Sequence, residues 1–334
     1  MWQNCFQNDP VKPLKNSGNE SVAFFTGRDL LGLDLAPVTG LWKLASPRRI
    51  LKRQLPGGHW RYPGKGEGCC LLASFQNLQT LVYQYGFDRR YPSIEQACEH
   101  IFSYQTAEGD IRGFIGNQYA PYYTGLVSTL LIQAGYADDP RIEKALAWLL
   151  SMRQGDGGWV IGSPGMLGIP LLTRARLNYL TSDPGAPVMN AFDKSKPSSH
   201  SGTGMVIRAF AAHPGYRNSP DALKAGMLLK ERFFREDNYS SYKSDDHWVR
   251  FRFPFWWNNL LAALDSLSLM GMSPEDPDIK RALEWFVANQ QADGLWKVSY
   301  SGIHKAPANS KTEEQRLWIS LGVCRVFKRL NSPV

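Results

Sequence analysis

The chain has 334 residues, of which 43% are hydrophobic and 12% aromatic, so it has ample material for a large buried core. No stretch approaches the roughly 20 apolar residues that a membrane-spanning helix needs, and we expect a soluble protein. The formal net charge of +8 favours anionic partners, but the basic residues are scattered and no nucleic-acid motif occurs. We therefore expect a small apolar or anionic ligand and no specific nucleic acid; the charge is also compatible with peripheral membrane contact.

The first 18 residues are polar and contain two prolines, which favours a loose lead-in before the folded domain. They include no basic segment followed by an apolar run, so no secretory signal is expected. The five cysteines are an odd number without zinc-finger spacing, which argues against a disulfide framework or a structural zinc site. These features favour a cytoplasmic protein with no metal and no cofactor, and they leave the oligomeric state open.

Apolar and amphipathic helices alternate along the rest of the chain. A first helix is predicted over residues 20–33, followed by a short helix that Ser46 and Pro47 begin. A long apolar helix is predicted from Cys69 to Tyr85, and Ser93 is predicted to cap the amphipathic helix after it. Later apolar helices are predicted near Thr124, Ser201 and Trp256, amphipathic ones from Pro140, Pro220 and Pro277, and a last helix over residues 313–330.

Two of the amphipathic helices belong to an internal repeat. The segment Pro140 to Trp159 recurs without a gap as Pro277 to Trp296. Each copy is a helix followed by a glutamine and a Gly-x-Trp turn, and such self-similarity is typical of repeat architectures. The identical pairs are Ala145/Ala282, Leu146/Leu283, Trp148/Trp285, Gln154/Gln291, Asp156/Asp293, Gly157/Gly294 and Trp159/Trp296.

The alternation predicts two concentric layers of helices in a single domain over residues 19–334. Helices that are apolar on nearly all sides are expected between two neighbours, whereas amphipathic helices fit an outer layer. We expect the last helix, 313–330, to pair with the short helix at 47–54 and close a ring. Residues 160–200 form a longer segment than a repeat turn requires, and we expect this insertion to be a lid or binding loop.

The pairs Lys144-Ala145 and Arg281-Ala282, each followed by tryptophan, glutamine and Gly-x-Trp, resemble the QW repeat of squalene and oxidosqualene cyclases. Protein prenyltransferase β-subunits share this repeat in weaker form, and the chain is also similar to bacterial proteins with a prenyltransferase-like label and no established activity. The resemblance implies an all-α fold, an α/α toroid of about five to six helical hairpins around a central cavity. It does not extend to the catalytic signatures, because the sequence has no Asp-x-Asp-Asp, no Asp-x-Cys and no Asp-Asp-x-x-Asp.

Candidate acids and bases lie mainly in the segment 243–259, which has the densest cluster of functional groups in the chain. Asp245 or Asp246, beside His247, is a candidate general acid. His200, at the start of an apolar helix, is the best-placed single base, although a lone histidine is more often structural. The aspartates of the two repeat turns are predicted to brace those turns rather than to catalyse.

Aromatic and basic side chains supply the candidate ligand contacts, because aromatic faces stabilise carbocations and arginines hold diphosphate or carboxylate groups. In an extended segment the arginines at 250 and 252 would face away from the phenylalanines at 251 and 253. The repeat also places the starts of the apolar helices around one cavity mouth. The candidate substrate-binding residues are Trp60, Arg61, Tyr122, Tyr123, Trp248, Arg250, Phe251, Arg252, Trp256, Trp257 and Asn258.

The structural alternative is that these aromatic side chains pack in the core and that the charged side chains lie on a solvent-exposed loop. The glycine-rich stretch from Gly64 to Gly68 is either an anion-binding helix start or, more in keeping with its composition, a flexible turn.

Three functions remain open from the sequence. The first is an isoprenoid or terpene-cyclase-like protein that binds an apolar or diphosphate-bearing substrate and starts carbocation cyclisation with an acid. The second is a polysaccharide lyase or hydrolase acting on acidic glycans, and the third is a non-catalytic binding scaffold. A deep cavity lined by Trp and Phe indicates the first, an open cleft with exposed Trp and Arg the second, and a ring filled by side chains the third.

Overall fold

The computed structural model describes residues 2–62, 70–161, 193–237, 245–299 and 310–331. Inner and outer helices alternate along these residues. The inner helices are α2 (Glu20–Phe25), α4 (Cys70–Tyr85), α6 (Pro121–Leu131), α8 (His200–Ala212), α10 (Leu260–Leu269) and α12 (Ser310–Asn331). The outer helices are α1 (Val11–Lys15), α3 (Ala45–Leu51), α5 (Pro92–Phe102), α7 (Pro140–Ser151), α9 (Pro220–Lys230) and α11 (Pro277–Ala288).

Shorter elements complete the described chain. Turns of 3-10 helix span Trp2–Cys5, Val38–Lys43 and Asp245–Val249, and a four-residue strand, β1, spans Phe114–Asn117. Wider π-helical turns extend α2 over Thr26–Leu30 and α6 over Ile132–Tyr136.

The inner helices form a closed ring. Each packs against the next, from α2 through α4, α6, α8 and α10 to α12, and α12 returns to α2. The tightest contact is between α6 and α8, where a Cβ on Gly125 would stand 2.7 Å from the Cα of Val206, so only glycine permits this approach. The outer helices bury one face each and cover the ring. The predicted all-α double layer, an α/α toroid, is confirmed.

The turns after outer helices fasten each helical pair to the next through a glutamine. The Nε2 of Gln54 donates to the carbonyl of Ser93 in α5 (2.7 Å), and that of Gln105 to the carbonyl of Arg141 in α7 (2.8 Å). The Nε2 of Gln290 donates to the carbonyl of Asn8 (2.9 Å), just before α1. In the turn after α7 the corresponding residue is Arg153, whose side chain instead forms a 2.5 Å ion pair with Asp221 in α9.

The tryptophans of these turns connect each turn to two helices by hydrogen bonds. The indole N–H of Trp60, Trp159 and Trp296 donates to a carbonyl ten residues earlier, at 2.7 to 2.8 Å. Their backbone N–H groups donate to a buried hydroxyl on the following inner helix, that of Ser74, Thr203 or Ser320 respectively, at 3.0 Å. The repeat therefore belongs to the wall of the toroid, as the sequence suggested.

The N-terminal segment differs from the predicted loose lead-in. Trp2, Val11 and Leu14 are buried, and Phe6 lies with its ring 5.3 Å from that of Trp296. The ring closes where α12 packs against α1 and α2, rather than through the predicted pairing of the last helix with residues 47–54. Because Asn8 bonds to Gln290 in both directions, residues 2–18 complete the outer wall.

Two predicted caps are also wrong. Ser46 lies inside α3 and Ser93 inside α5, and neither helix has a side-chain cap at its start. Both helices carry a proline near their first turn, which removes one of the N–H groups that a cap would satisfy. The Gly64–Gly68 stretch, Cys69 and most of the 160–200 insertion, including its predicted lid, lie outside the described residues, so these stay predictions.

Candidate functional site

A cavity of about 1020 Å³ occupies the centre of the ring. It lies between the C-terminal halves of the inner helices, because α4 contributes Val82 and Tyr83 and α6 contributes Leu126 and Thr129. Aromatic and aliphatic side chains form one part of its wall: Phe25, Val38, Val82, Phe87, Leu126, Phe253, Phe255 and Leu269. The side chains of the described residues thus leave the centre of the ring unfilled.

The floor of the cavity is a strap of residues 253–257 that crosses the ring. On one side Phe253 and Phe255 line the cavity. On the other side Trp256 packs against Phe75 and Tyr123, with ring centroids 5.6 and 6.0 Å apart. The strap therefore separates the cavity from the ends where the inner helices begin.

Arg208, on α8, holds the strap in place. Its Nη2 donates to the carbonyl of Trp257 (2.6 Å), and its Nη1 lies 3.4 and 3.3 Å from the carbonyls of Phe255 and Trp256. Gln79 adds a bond of 3.3 Å to the carbonyl of Phe255. Burial lowers the pKa of Arg208 to about 10, so the guanidinium stays charged at neutral pH.

Among the described residues, seven basic side chains and three carboxylates line the cavity. The basic residues are Arg28, Arg90, Arg208, Arg217, Arg325, Lys328 and Arg329, and the acidic ones are Asp29, Asp88 and Asp265. Because basic groups outnumber carboxylates here, this part of the lining has a positive net charge, and an anion is the partner that it favours.

Each of the three carboxylates is already paired with arginine. Asp88 bonds to Arg90 (2.6 Å), and this bond lowers the pKa of Asp88 below its usual value. Burial alone would raise the pKa of Asp29, but Arg325, at 2.5 Å, and Arg28 together outweigh burial, and the net pKa is lowered. Asp265 pairs with Arg329. An acid able to protonate an alkene therefore has no candidate among the described residues of this lining.

The candidate acids of the 243–259 segment lie elsewhere. Asp245 and Asp246 are exposed on a 3-10 turn, and Asp246 pairs with Arg250, four residues on. His247 is buried, and burial lowers its pKa to about 4. These residues are absent from the described cavity lining, so their catalytic role stays a prediction.

The aromatic side chains of the same segment pack in the core, as in the structural alternative. Phe251 is buried with its ring centroid 5.4 Å from that of Phe286, and Trp248 is buried against Phe233. The side chain of Arg252 is exposed between the buried Phe251 and Phe253, whereas Arg250 is half-buried and pairs with Asp246. Trp257 is half-buried at the end of the strap.

The predicted convergence of the inner-helix starts is real but forms a packed cluster. His200 lies with its ring 4.5 Å from that of Trp248, and its carbonyl accepts a hydrogen bond from Asn258 (3.2 Å). Tyr122 is buried, and Trp60 is one of the turn tryptophans described above. Arg61 is exposed at the same end. None of these six residues lines the cavity described here.

The cavity residues that sequence reasoning missed carry a recognisable signal. Arg208 and Asp265 are isolated charges within the apolar helices α8 and α10, and Tyr83 lies within apolar α4. A charge in such a helix must face either solvent or a polar cavity, because burial in a dry core is costly. Burial here raises the pKa of Tyr83 well above its usual value, so its hydroxyl is a neutral donor.

No protein family model matches the chain. A probable squalene–hopene cyclase from Sinorhizobium fredii is 24% identical over 190 residues, which cover 54% of this chain and 26% of that protein. The match thus spans about a quarter of the length of the curated relative.

Solved structures with similar folds have low sequence identity. A variant of the type II terpene cyclase MstE from Scytonema, in complex with geranylgeranyl dihydroxybenzoate, is 14% identical with a TM-score of 0.45, covering 96% of this chain and 99% of that one. A polysaccharide lyase is 14% identical with a TM-score of 0.46, covering 100% and 92%. An unsaturated glucuronyl hydrolase from Bacillus sp. GL1 is 12% identical with a TM-score of 0.45, covering 99% and 86%.

The closed ring of alternating helices and the glutamine and tryptophan turns define an α/α toroid. Its sequence is similar, over 190 residues, to that of a probable squalene–hopene cyclase. Among the residues that the structure describes, no helix is both long and apolar enough to cross a membrane.

Proposed function

We propose that the protein takes an isoprenoid-like substrate into the central cavity, as a terpene-cyclase-like toroid. The observation that carries this proposal is the cavity of about 1020 Å³ inside the ring, with phenylalanines on several sides. Its volume is at the upper end of ordinary ligand sites, which span roughly 300 to 1,000 Å³. Cyclisation started by an acid stays a prediction from the sequence and is separate from this binding proposal, because Asp245 and Asp246, the sequence-predicted acids, are not among the described residues that line the cavity.

The glycan alternative has less support. Binding of sugars by stacking needs an exposed aromatic face, and all eleven tryptophans of the chain are buried or half-buried. None of them lines the cavity. The excess of basic groups would suit an acidic sugar, but it suits an anionic isoprenoid equally. The odd number of cysteines supports the proposal of a cytoplasmic location, and the oligomeric state stays open.

The proposal is tested by the binding of geranylgeraniol, a neutral isoprenoid alcohol, measured by native mass spectrometry and by the shift of the melting temperature. Ala212, a half-buried residue of the cavity wall, is replaced by phenylalanine. We expect Ala212→Phe to weaken binding about tenfold, because added bulk in a filled site costs 1–3 kcal/mol.

Asp246→Asn and Arg250→Ala are the comparison variants, since they alter the sequence-predicted loop and not the cavity. If Ala212→Phe is the only variant that loses binding, the result supports the cavity as the binding site. Binding that is lost only in the two loop variants moves the site to the 243–259 segment. Absence of binding to the unaltered protein overturns the proposal.

A further inference from the structure

Three basic side chains of the cavity have no carboxylate partner among the described residues. They are Arg208, Arg217 and Lys328, whereas the other four basic groups are ion-paired with Asp29, Asp88 or Asp265. Lys328 donates to the carbonyl of Asp29 (2.7 Å), and Arg217 lies 3.3 Å from the carbonyl of Ala212. Carbonyl oxygens accept hydrogen bonds but do not neutralise the positive charge.

Arg208 is the most buried of the three, with 7% of its surface exposed. Its two terminal nitrogens bind the strap, while its Nε has no hydrogen-bond partner within the described parts of the chain. A buried charge that lacks a counter-charge is costly, and a free N–H adds to this cost. Asp265 is near enough to interact electrostatically, but it forms its ion pair with Arg329.

Arg208 and Arg217 both line the cavity from the region of α8. Arg208 lies within α8 and binds the strap that forms the floor. Arg217 lies in the turn after α8, and its Nη2 donates to the carbonyl of Ala212, the last residue of the helix. The two guanidinium groups are therefore presented by one helix and the turn that follows it.

The wall across the ring from α8 carries both phenylalanines and charges. In the closed order of six inner helices α2 lies opposite α8, and Phe25 of α2 lines the cavity together with Val38 and Phe87. On that side Asp29 pairs with both Arg28 and Arg325, and Lys328 donates to the Asp29 carbonyl. A ligand in the cavity therefore meets basic groups on more than one wall, with phenylalanine side chains beside them.

We propose that the cavity selects amphipathic anions, with the anionic group bound by Arg208 and Arg217 and the apolar body packed against the phenylalanines of the lining. This inference rests on the proposed function, because it concerns the same cavity. It specifies the charge of the ligand and the residues that bind its anionic group. A phosphate or carboxylate head group has the acceptor oxygens that guanidinium groups bind in pairs.

The experiment compares geranylgeranyl phosphate with geranylgeraniol, which share one apolar chain and differ in the anionic group. We expect the unaltered protein to bind the phosphate at least about tenfold more tightly, as charge-assisted hydrogen bonds contribute more than neutral ones. Geranylgeranoic acid tests whether a carboxylate serves as well as a phosphate. Dissociation constants are measured by isothermal titration calorimetry at fixed ionic strength.

Arg217→Gln and Arg208→Gln are each expected to reduce the preference for the phosphate about fivefold or more, with little effect on the alcohol. Arg217→Gln is the safer variant, because Arg208 also holds the strap and its loss could unfold the protein. Arg49→Gln, on exposed helix α3, removes the same charge far from the cavity and should leave the preference unchanged.

Equal binding of alcohol and phosphate by the unaltered protein overturns the inference and leaves the proposed function standing. The inference is also overturned if Arg49→Gln reduces the preference for the phosphate and Arg217→Gln does not. The preference would then depend on the overall charge of the protein. If neither compound binds, the proposed function fails as well.

Discussion

Arg208 is the only permanently charged residue of α8, in a run of small, apolar and neutral side chains from His200 to Ala212. An isolated buried charge destabilises a folded protein unless other groups solvate it. Three strap carbonyls do so here, and the strap in turn becomes the floor of the cavity. A single side chain thus links the position of a loop to the electrostatic character of the site.

His200 and His247 form a second buried polar group at the opposite side of the strap. His200 is 2% exposed and His247 4% exposed, and the Nε2 of His200 lies 3.7 Å from a carboxylate oxygen of Asp237. Burial lowers the pKa of each histidine to about 4, although Asp237 acts in the other direction. Both imidazoles are therefore neutral in the folded protein at neutral pH.

This burial predicts a pH-dependent stability. In the unfolded chain both histidines titrate near 6.5, so between about pH 6.5 and pH 4 the unfolded state binds more protons than the folded state. The free energy of unfolding should fall as pH falls through this range, by on the order of 3 kcal/mol per histidine. Urea unfolding at pH 7.5 and pH 5.0 measures the fall, and His200→Gln should make it smaller. An identical fall in this variant would show that His200 does not contribute.

At the scale of elements, the turns show how far a repeat in the sequence can be interpreted. The alignment of the two copies pairs Gln154 with Gln291, and their backbones are equivalent, since each accepts from the N–H of the glycine three residues on. The side chain that fastens the last turn is nevertheless that of Gln290, one residue earlier. The sequence alignment located the turn correctly, but it did not identify the residue whose side chain connects the turn to the next helical pair.

Adjacent glutamines provide a matched pair of variants. Gln290 is 8% exposed and its amide donates to two carbonyls, those of Asn8 and Gly294, whereas Gln291 donates only to the nearby carbonyl of Asn289. We expect Gln290→Ala to lower the free energy of unfolding by about 1–3 kcal/mol, because it leaves buried carbonyls unsatisfied.

Gln291→Ala should change the same free energy by less than about 0.5 kcal/mol, as most surface substitutions do. Equilibrium unfolding in urea measures both variants. A larger effect at Gln291 than at Gln290 would mean that the sequence alignment, not the observed hydrogen bonding, identifies the fastening residue.

At the scale of the whole molecule, the toroid needs its N-terminus to close. Trp2 packs edge-on against Phe6, and Phe6 contacts Phe327 of α12 with ring centroids 4.5 Å apart. These contacts join residues about 320 positions apart in the chain, so the first and last helices depend on each other. Sequence reasoning took this segment for a lead-in because it is polar and contains two prolines.

Trp2→Ala should therefore destabilise the entire ring. The loss of a buried tryptophan typically costs about 3–5 kcal/mol, and we expect a single unfolding transition at a lower urea concentration. Gln7→Ala is the control, since Gln7 is exposed in the same segment and should leave the midpoint unchanged. An unchanged midpoint in Trp2→Ala would instead support a loose lead-in.

The sequence by itself determined the alternation of inner and outer helices, the fastening turns and hence the toroid, because these depend on local periodicity and on residue types a few positions apart. It also excluded the catalytic signatures of the resembling families. Only the tertiary structure decided which end of the ring holds the cavity and which charges face it. That outcome depends on the strap, on Arg208 and on the closure by Trp2, which are contacts between distant segments that no local pattern encodes.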